Sequence, residues 1–195
     1  ADVKALKKGF TSVNVTQLAQ KDVYQSNSVN ATTKDAIINA GNLNIEINGV
    51  TETFDTTNMT YAQFSDAINS KAGISASVEQ VGSDSFRLII KSETSGIDNA
   101  LSISGTASQS LGFTTDGTAI NSTNHILEAK NMIAKVDGVE YNVSSNNITV
   151  DGLKITANKV GDSTINVVED NSQVETQMNS FITKYNELVA LIDSE

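Results

Sequence analysis

Residues 41–96 read GNLNIEINGVTETFDTTNMTYAQFSDAINSKAGISASVEQVGSDSFRLIIKSETSG. Leu43, Ile45 and Ile47 alternate with polar residues, the pattern of a strand with one buried face. Asn48-Gly49 supplies the positive φ angles of a tight hairpin turn, and Val50 to Phe54 forms the returning strand. Thr60 and Gln63 are spaced as a capping box, and Phe64, Ala67 and Ile68 share one face of the helix it opens. Gly73 is placed to end that helix as a left-handed C-cap. Ile74, Ala76 and Val78 alternate again, as do Phe86, Leu88 and Ile90, which predicts a second hairpin. The unit is hairpin, helix, hairpin, and it holds no obvious catalytic group.

The flanking sequence extends the β character. Val13 and Val15 alternate, and one strand is expected from there through Gln17, Leu18 and Ala19 towards Val23. The first residues, ADVKALKKGF, are expected to be a frayed lead-in, and 25–36 a polar linker. Leu101 and Ile103 suggest a further short strand. Residues 104–124 are rich in Gly, Ser, Thr and Asn and predict a long surface excursion anchored by Leu111-Gly112-Phe113. From Ala129, Met132, Ala134 and Val136 lead into Asp137-Gly138, and Val139, Tyr141 and Val143 return. Turns at Asn146-Asn147, Asp151-Gly152 and Gly161-Asp162 separate three more short apolar alternations, the spacing of an antiparallel β domain.

The last segment changes period. Ser172 and Glu175 are spaced as another capping box. Val174, Met178, Phe181, Tyr185, Leu188 and Ile192 then follow at alternating steps of four and three, a heptad seam that calls for a partner helix. The fold class expected is α+β, mostly antiparallel β. It comprises two β-rich lobes, one inserted in the other, with one short helix in the inserted lobe and a C-terminal stem helix. The expected boundaries are 1–40 with 145–171 for the inner lobe, 41–144 for the inserted lobe and 172–195 for the start of a stem whose remainder lies beyond this sequence.

Composition narrows the chemistry. Among 195 residues there is no cysteine, proline or tryptophan, so neither disulfides nor thiolate metal sites contribute. Ser, Thr and Asn make up 63 residues, which solvate strands and turns and confine the apolar residues to few faces. A net charge of −10 argues against nucleic acid or an anionic membrane as partner. The charge is uneven, since residues 1–40 hold five lysines against three aspartates. His125 is the one histidine, and its neighbours Asn124, Ile126 and Leu127 offer it no acid or ligand, so it reads as a surface or edge-strand residue. The pairs Glu169-Asp170 and Asp137 with Glu140 fall at a helix start and a turn, where the helix dipole and solvation account for them. No nucleophile elbow, phosphate loop or calcium loop is present. No catalytic, cofactor or metal residue is assigned, and an enzyme is not expected.

Three segments in order resemble one family. FTSVNVTQLAQKDVYQS (10–26) resembles the Gln-Leu-Ala strand of the flagellar filament cap (FliD) family. The 41–96 unit resembles a module of flagellins and hook-associated proteins. The run from Asn131 to Val189 resembles the start of the cap family's C-terminal region, with its Val-Asp-Gly hairpin, Ser-Asn-Asn turn and Tyr-Asn-Glu-Leu helix. The resemblance implies an exported protein that self-associates into a ring at the filament tip and works on flagellin, with β-rich heads on a helical stem. It implies no cofactor. The competing expectations are another axial protein, a flagellin or hook–filament junction protein, and a surface adhesin. The latter is disfavoured by 5% aromatic residues and no tryptophan for sugar stacking.

Overall fold

The structure is a computed structural model that describes residues 6–193, with side-chain environments given through residue 190. Of the frayed lead-in expected at residues 1–10, the first five lie outside the described residues, and Gly9 and Phe10 are instead paired in a strand with Val167 and Asn166. In chain order the first elements are β1 (Gly9–Gln17), β2 (Val23–Gln25), α1 (Ala31–Asp35), β3 (Asn42–Ile47), β4 (Val50–Asp55), α2 (Tyr61–Asn69), β5 (Ile74–Gly82) and β6 (Ser85–Ser92). A 3-10 turn at Ile97–Asn99 precedes β7 (Ser102–Ser104), α3 (Thr106–Leu111) and β8 (His125–Leu127). The chain ends with β9 (Met132–Val136), β10 (Val139–Val143), β11 (Asn147–Val150), β12 (Leu153–Thr156), β13 (Gly161–Val167) and α4 (Ser172–Asp193).

These elements build two β-rich lobes and a helix. The outer lobe holds a four-stranded sheet in the order β5-β6-β2-β8 and a three-stranded sheet β4-β3-β7. Leu43 and Ile45 from β3, Phe64 and Ile68 from α2, and Leu88 and Ile90 from β6 close its core with Phe113. Each is essentially inaccessible to solvent, and burial of a side chain of this size stabilises by about 1.5–3 kcal/mol before entropy. The inner lobe holds the sheet β10-β9-β1-β13 beside the β11-β12 hairpin, over a smaller core of Val13, Val15, Met132, Ala134, Val136, Ile148 and Ile155. Among the three Asx-Gly hairpin turns, Asn48, Asp137 and Asp151 have φ of 52°, 49° and 48°, each followed by a glycine of positive φ. That is the left-handed pair that a two-residue turn needs to match strand twist.

Several expectations are corrected. The single strand expected from Val13 to Val23 is two strands in two sheets. β1 shifts register between Val15 and Gln17 and stops, because the backbone N–H and carbonyl of Ala19 are satisfied by the Asn146 side-chain amide (2.7 and 3.0 Å) rather than by a neighbouring strand. The lobe boundaries move accordingly. Residues 129–144, expected in the insertion, join the inner sheet: β9 pairs with β1, with Val136 opposite Val13 and Ala134 opposite Val15, and β10 pairs with β9. Residues 23–25, expected in the inner lobe, pair with β6.

The expected surface excursion at 104–124 is part of the outer core. It folds as α3, burying Ala107, Leu111 and Phe113. Gly112 ends α3 at φ +88°, and a Cβ there would strike the Asn27 amide at 2.3 Å, so the close approach needs glycine. The outer lobe thus has short helices α1 and α3 besides the expected α2. The Thr60–Gln63 capping box forms as expected, but α2 ends at Ser70, and Gly73 (φ +85°) instead opens β5.

Candidate assembly surface

α4 is the largest helix of the described residues, at 22 residues. It starts at Ser172, so that serine lies inside the first turn instead of capping it as the Ser172–Glu175 spacing predicts. The Ser172 N–H donates to Asp170 Oδ1 at 3.0 Å, and the Glu175 N–H donates to the Asn171 carbonyl. The Ser172 hydroxyl and N–H hold the Asp170 carboxyl below its ordinary range, which keeps a negative charge at the positive end of the helix. The expected role of the Glu169-Asp170 pair is therefore carried by one member.

Every α4 side chain described through residue 190 is exposed. Of the predicted seam, Val174, Met178, Phe181, Tyr185 and Leu188 are all more than half exposed, and the Ile192 side chain lies outside the described residues. The rings of Phe181 and Tyr185 lie 6.5 Å apart at 26°, so these two neighbours along the seam stack on each other. Ile182 and Val189 are also exposed and were missed by the four–three count. Each follows a seam residue by one position (Phe181, Leu188), so the stripe occupies three heptad positions. Allowing a third position reveals them in the sequence; a stripe of that width fits a helix packed against more than one neighbour. No helix among the described residues is long and apolar enough to cross a membrane.

A second cluster surrounds His125. The histidine does sit on an edge strand, β8, but its ring is mostly covered: it stacks on Tyr24 with centroids 4.1 Å apart and planes 6° from parallel. Nε2 lies 2.5 Å from Asp22 Oδ1, and the other carboxylate oxygen accepts the Leu101 N–H at 2.6 Å. The Asp22 N–H donates to Ser92 Oγ, and the buried Tyr24 hydroxyl donates to the Leu101 carbonyl. Desolvation, followed by the charges of Asp22 and Glu128, pushes the Tyr24 hydroxyl far above its ordinary pKa. The acid was invisible beside His125 because it comes from 103 residues upstream. A catalytic base of this kind needs a nucleophile on the free ring nitrogen, and no hydrogen bond from His125 Nδ1 is present among the described residues. Nor does any group of three His, Asp or Glu among them stand close enough to hold a metal. The pair ties β2, β8 and the Leu101 segment together.

The two β-rich lobes followed by an unpartnered helix have counterparts among known proteins. A sequence profile described as "Flagellar hook-associated protein 2 C-terminus" matches residues 129–195, the stretch from the inner-lobe hairpins through α4. The flagellar hook-associated protein 2 of Campylobacter jejuni is 29% identical over 230 residues, covering 94% of this chain and 35% of that protein. Among solved structures, the D2-D3 domains of the Escherichia coli flagellar cap protein FliD align with a TM-score of 0.67 at 28% identity, covering 87% of this chain and 92% of that one. The E. coli D1-D2-D3 structure gives 0.68 at 29%, covering 97% and 60%.

The chain is similar to flagellar hook-associated protein 2 over nearly its whole length. It spans about a third of the length of the C. jejuni relative. Its two lobes account for nearly the whole of the E. coli D2-D3 fold, and α4 falls within the profile of the family's C-terminal region.

Proposed function

We propose that this chain is the head of a flagellar filament cap, part of a longer protein that forms a ring at the filament tip and promotes flagellin insertion there. The observation that supports the reading most is the agreement with the E. coli cap's D2-D3 domains over 92% of that structure. In this reading residues 129–171, with the strand ending near Gln17, form an inner domain, and residues 20–128 form an outer domain displayed away from the stem. α4 is the first part of the stem, and Val174, Met178, Phe181, Tyr185, Leu188 and Ile192 are its packing stripe, widened by Ile182 and Val189 to meet more than one helix. The action is steric. A rigid head plate closes the tip, subunits enter beneath it, and no group of the chain performs covalent chemistry. Its place is outside the cell, reached through the flagellar export apparatus.

Electron microscopy of the full-length parent protein tests this. Rings with protruding legs, bound at filament ends, are the expected result. Subunits that copolymerise along filaments would show an ordinary axial protein instead.

A further inference from the structure

The chain crosses between the lobes twice, outward near residues 18–22 and back near 128–131. Gln20 and Lys130 exchange backbone hydrogen bonds of 2.8 and 3.1 Å, so the two crossings form a narrow ribbon. A two-stranded ribbon in water is marginally stable and leaves an axis about which the outer lobe can swing. A third connection grips the ribbon itself at Gln20 and Asn131 and reaches past it to Ser144. The turn Ser95-Gly96-Ile97 follows β6 of the outer lobe and lands on the inner lobe. Ser95 Oγ donates to the Ser144 carbonyl at 2.7 Å, and the Ile97 N–H donates to Asn131 Oδ1 at 2.9 Å. The Gly96 N–H reaches the Gln20 carbonyl at 3.2 Å. Asn131 is itself held from the inner side, donating to Asn142 Oδ1 at 2.8 Å while its carbonyl accepts from Gln17 Nε2 at 2.7 Å.

Gly96 is what lets the turn come so close. Its φ of +104° is closed to ordinary side chains, and a Cβ would sit 2.4 Å from Ser144 Cβ and 2.7 Å from Ser144 Cα. The second of those atoms is backbone, so no rotamer change relieves the clash.

We propose that the Ser95-Gly96-Ile97 turn is a clamp that locks the two lobes into one rigid body, seated on Ser144 and Asn131. Two strands in a ribbon fix all but one rotation, and the contact of Ser95 and Gly96 with Ser144, beyond the ribbon, removes it. The outer lobe's direction relative to the inner lobe is then set by this turn, and its loss converts a rigid arm into a hinged one with both cores intact.

Because the sequence has no cysteine, Thr51→Cys and Lys159→Cys place one spin label on each lobe, at exposed positions and without background. Double electron–electron resonance on the labelled 195-residue chain is expected to give one narrow distance peak. Adding Gly96→Val is expected to broaden it strongly while circular dichroism keeps its strand content. A broad distribution in the parent overturns the proposal, as does a peak that stays narrow with Gly96→Val. If that variant does not fold, Ser95→Ala with Asn131→Ala removes two of the attachments without a clash. Broadening there supports the clamp, and an unchanged narrow peak overturns it.

Discussion

The outer core and α4 carry the same kinds of apolar side chain and meet opposite fates. Phe64, Ile68, Leu88, Ile90 and Phe113 are sealed from solvent, whereas Phe181 is 69% exposed and Met178 63%. Hydrophobicity alone does not separate them. In the outer lobe, period-two strands β3 and β6 face the amphipathic α2, so each apolar face finds another within the chain. The stripe of α4 repeats at three and a half residues, and nothing else among the described residues carries a matching face. The comparison teaches that the apolar faces of the outer lobe are matched within the chain, while the α4 stripe meets no matching face among the described residues.

The strongest test removes a residue of the complete core. Phe113→Ala is expected to destabilise the outer lobe by about 3–5 kcal/mol, the usual range for emptying a buried phenylalanine site. Hydrogen exchange should show the loss in β3, β6 and β7, while β1, β9 and β10 keep their protection. A loss below 1 kcal/mol would return residues 104–124 to the surface role that their composition suggested.

That segment also shows where the sequence stops being legible. Hairpins such as β3-β4 and β9-β10 were readable because alternation and an Asx-Gly turn act within a dozen residues. So was the α2 capping box, which spans four residues. The sequence marks Phe113 as an anchor, but its burial depends on Gly112 seating against Asn27, a contact that no local pattern records. The lobe boundary failed for a related reason. The residue that ends β1 is satisfied by Asn146, far along the chain, so the strand's stop carries no signal of its own. The α4 helix and its apolar repeat are legible because a heptad is a local pattern. The Asp22–His125 tie is not, since its partners belong to separate strands of one sheet.

A second way to sharpen the contrast uses pH. Tyr24 and Tyr61 both belong to the outer core, and burial pushes both hydroxyls above their ordinary value of 10.0. The folded lobe therefore keeps protons that the unfolded chain releases, so stability is full below the ordinary tyrosine range and falls as pH rises through it. Thermal melts at rising alkaline pH are expected to show the outer-lobe transition dropping first. Tyr24→Phe should flatten that drop, and a slope unchanged by the substitution would remove Tyr24 as its cause.

The smallest expected effect bears on the comparison most directly. Phe181→Asp puts a charge in the middle of the α4 stripe, where a self-sufficient core would lose several kcal/mol. Here the side chain already faces water, so both lobe transitions of this fragment should stay within about 0.5 kcal/mol of the parent, as for other surface changes. On the function proposed above, the same substitution in the full-length protein should abolish ring formation, because the stripe would there be the buried face of a helical stem. If the fragment's lobes are destabilised along with the helix, then α4 packs on them and is no part of a separate stem. If instead both fragment and rings are untouched, the stripe is not the assembly surface, and the exposed apolar residues of α4 need another partner.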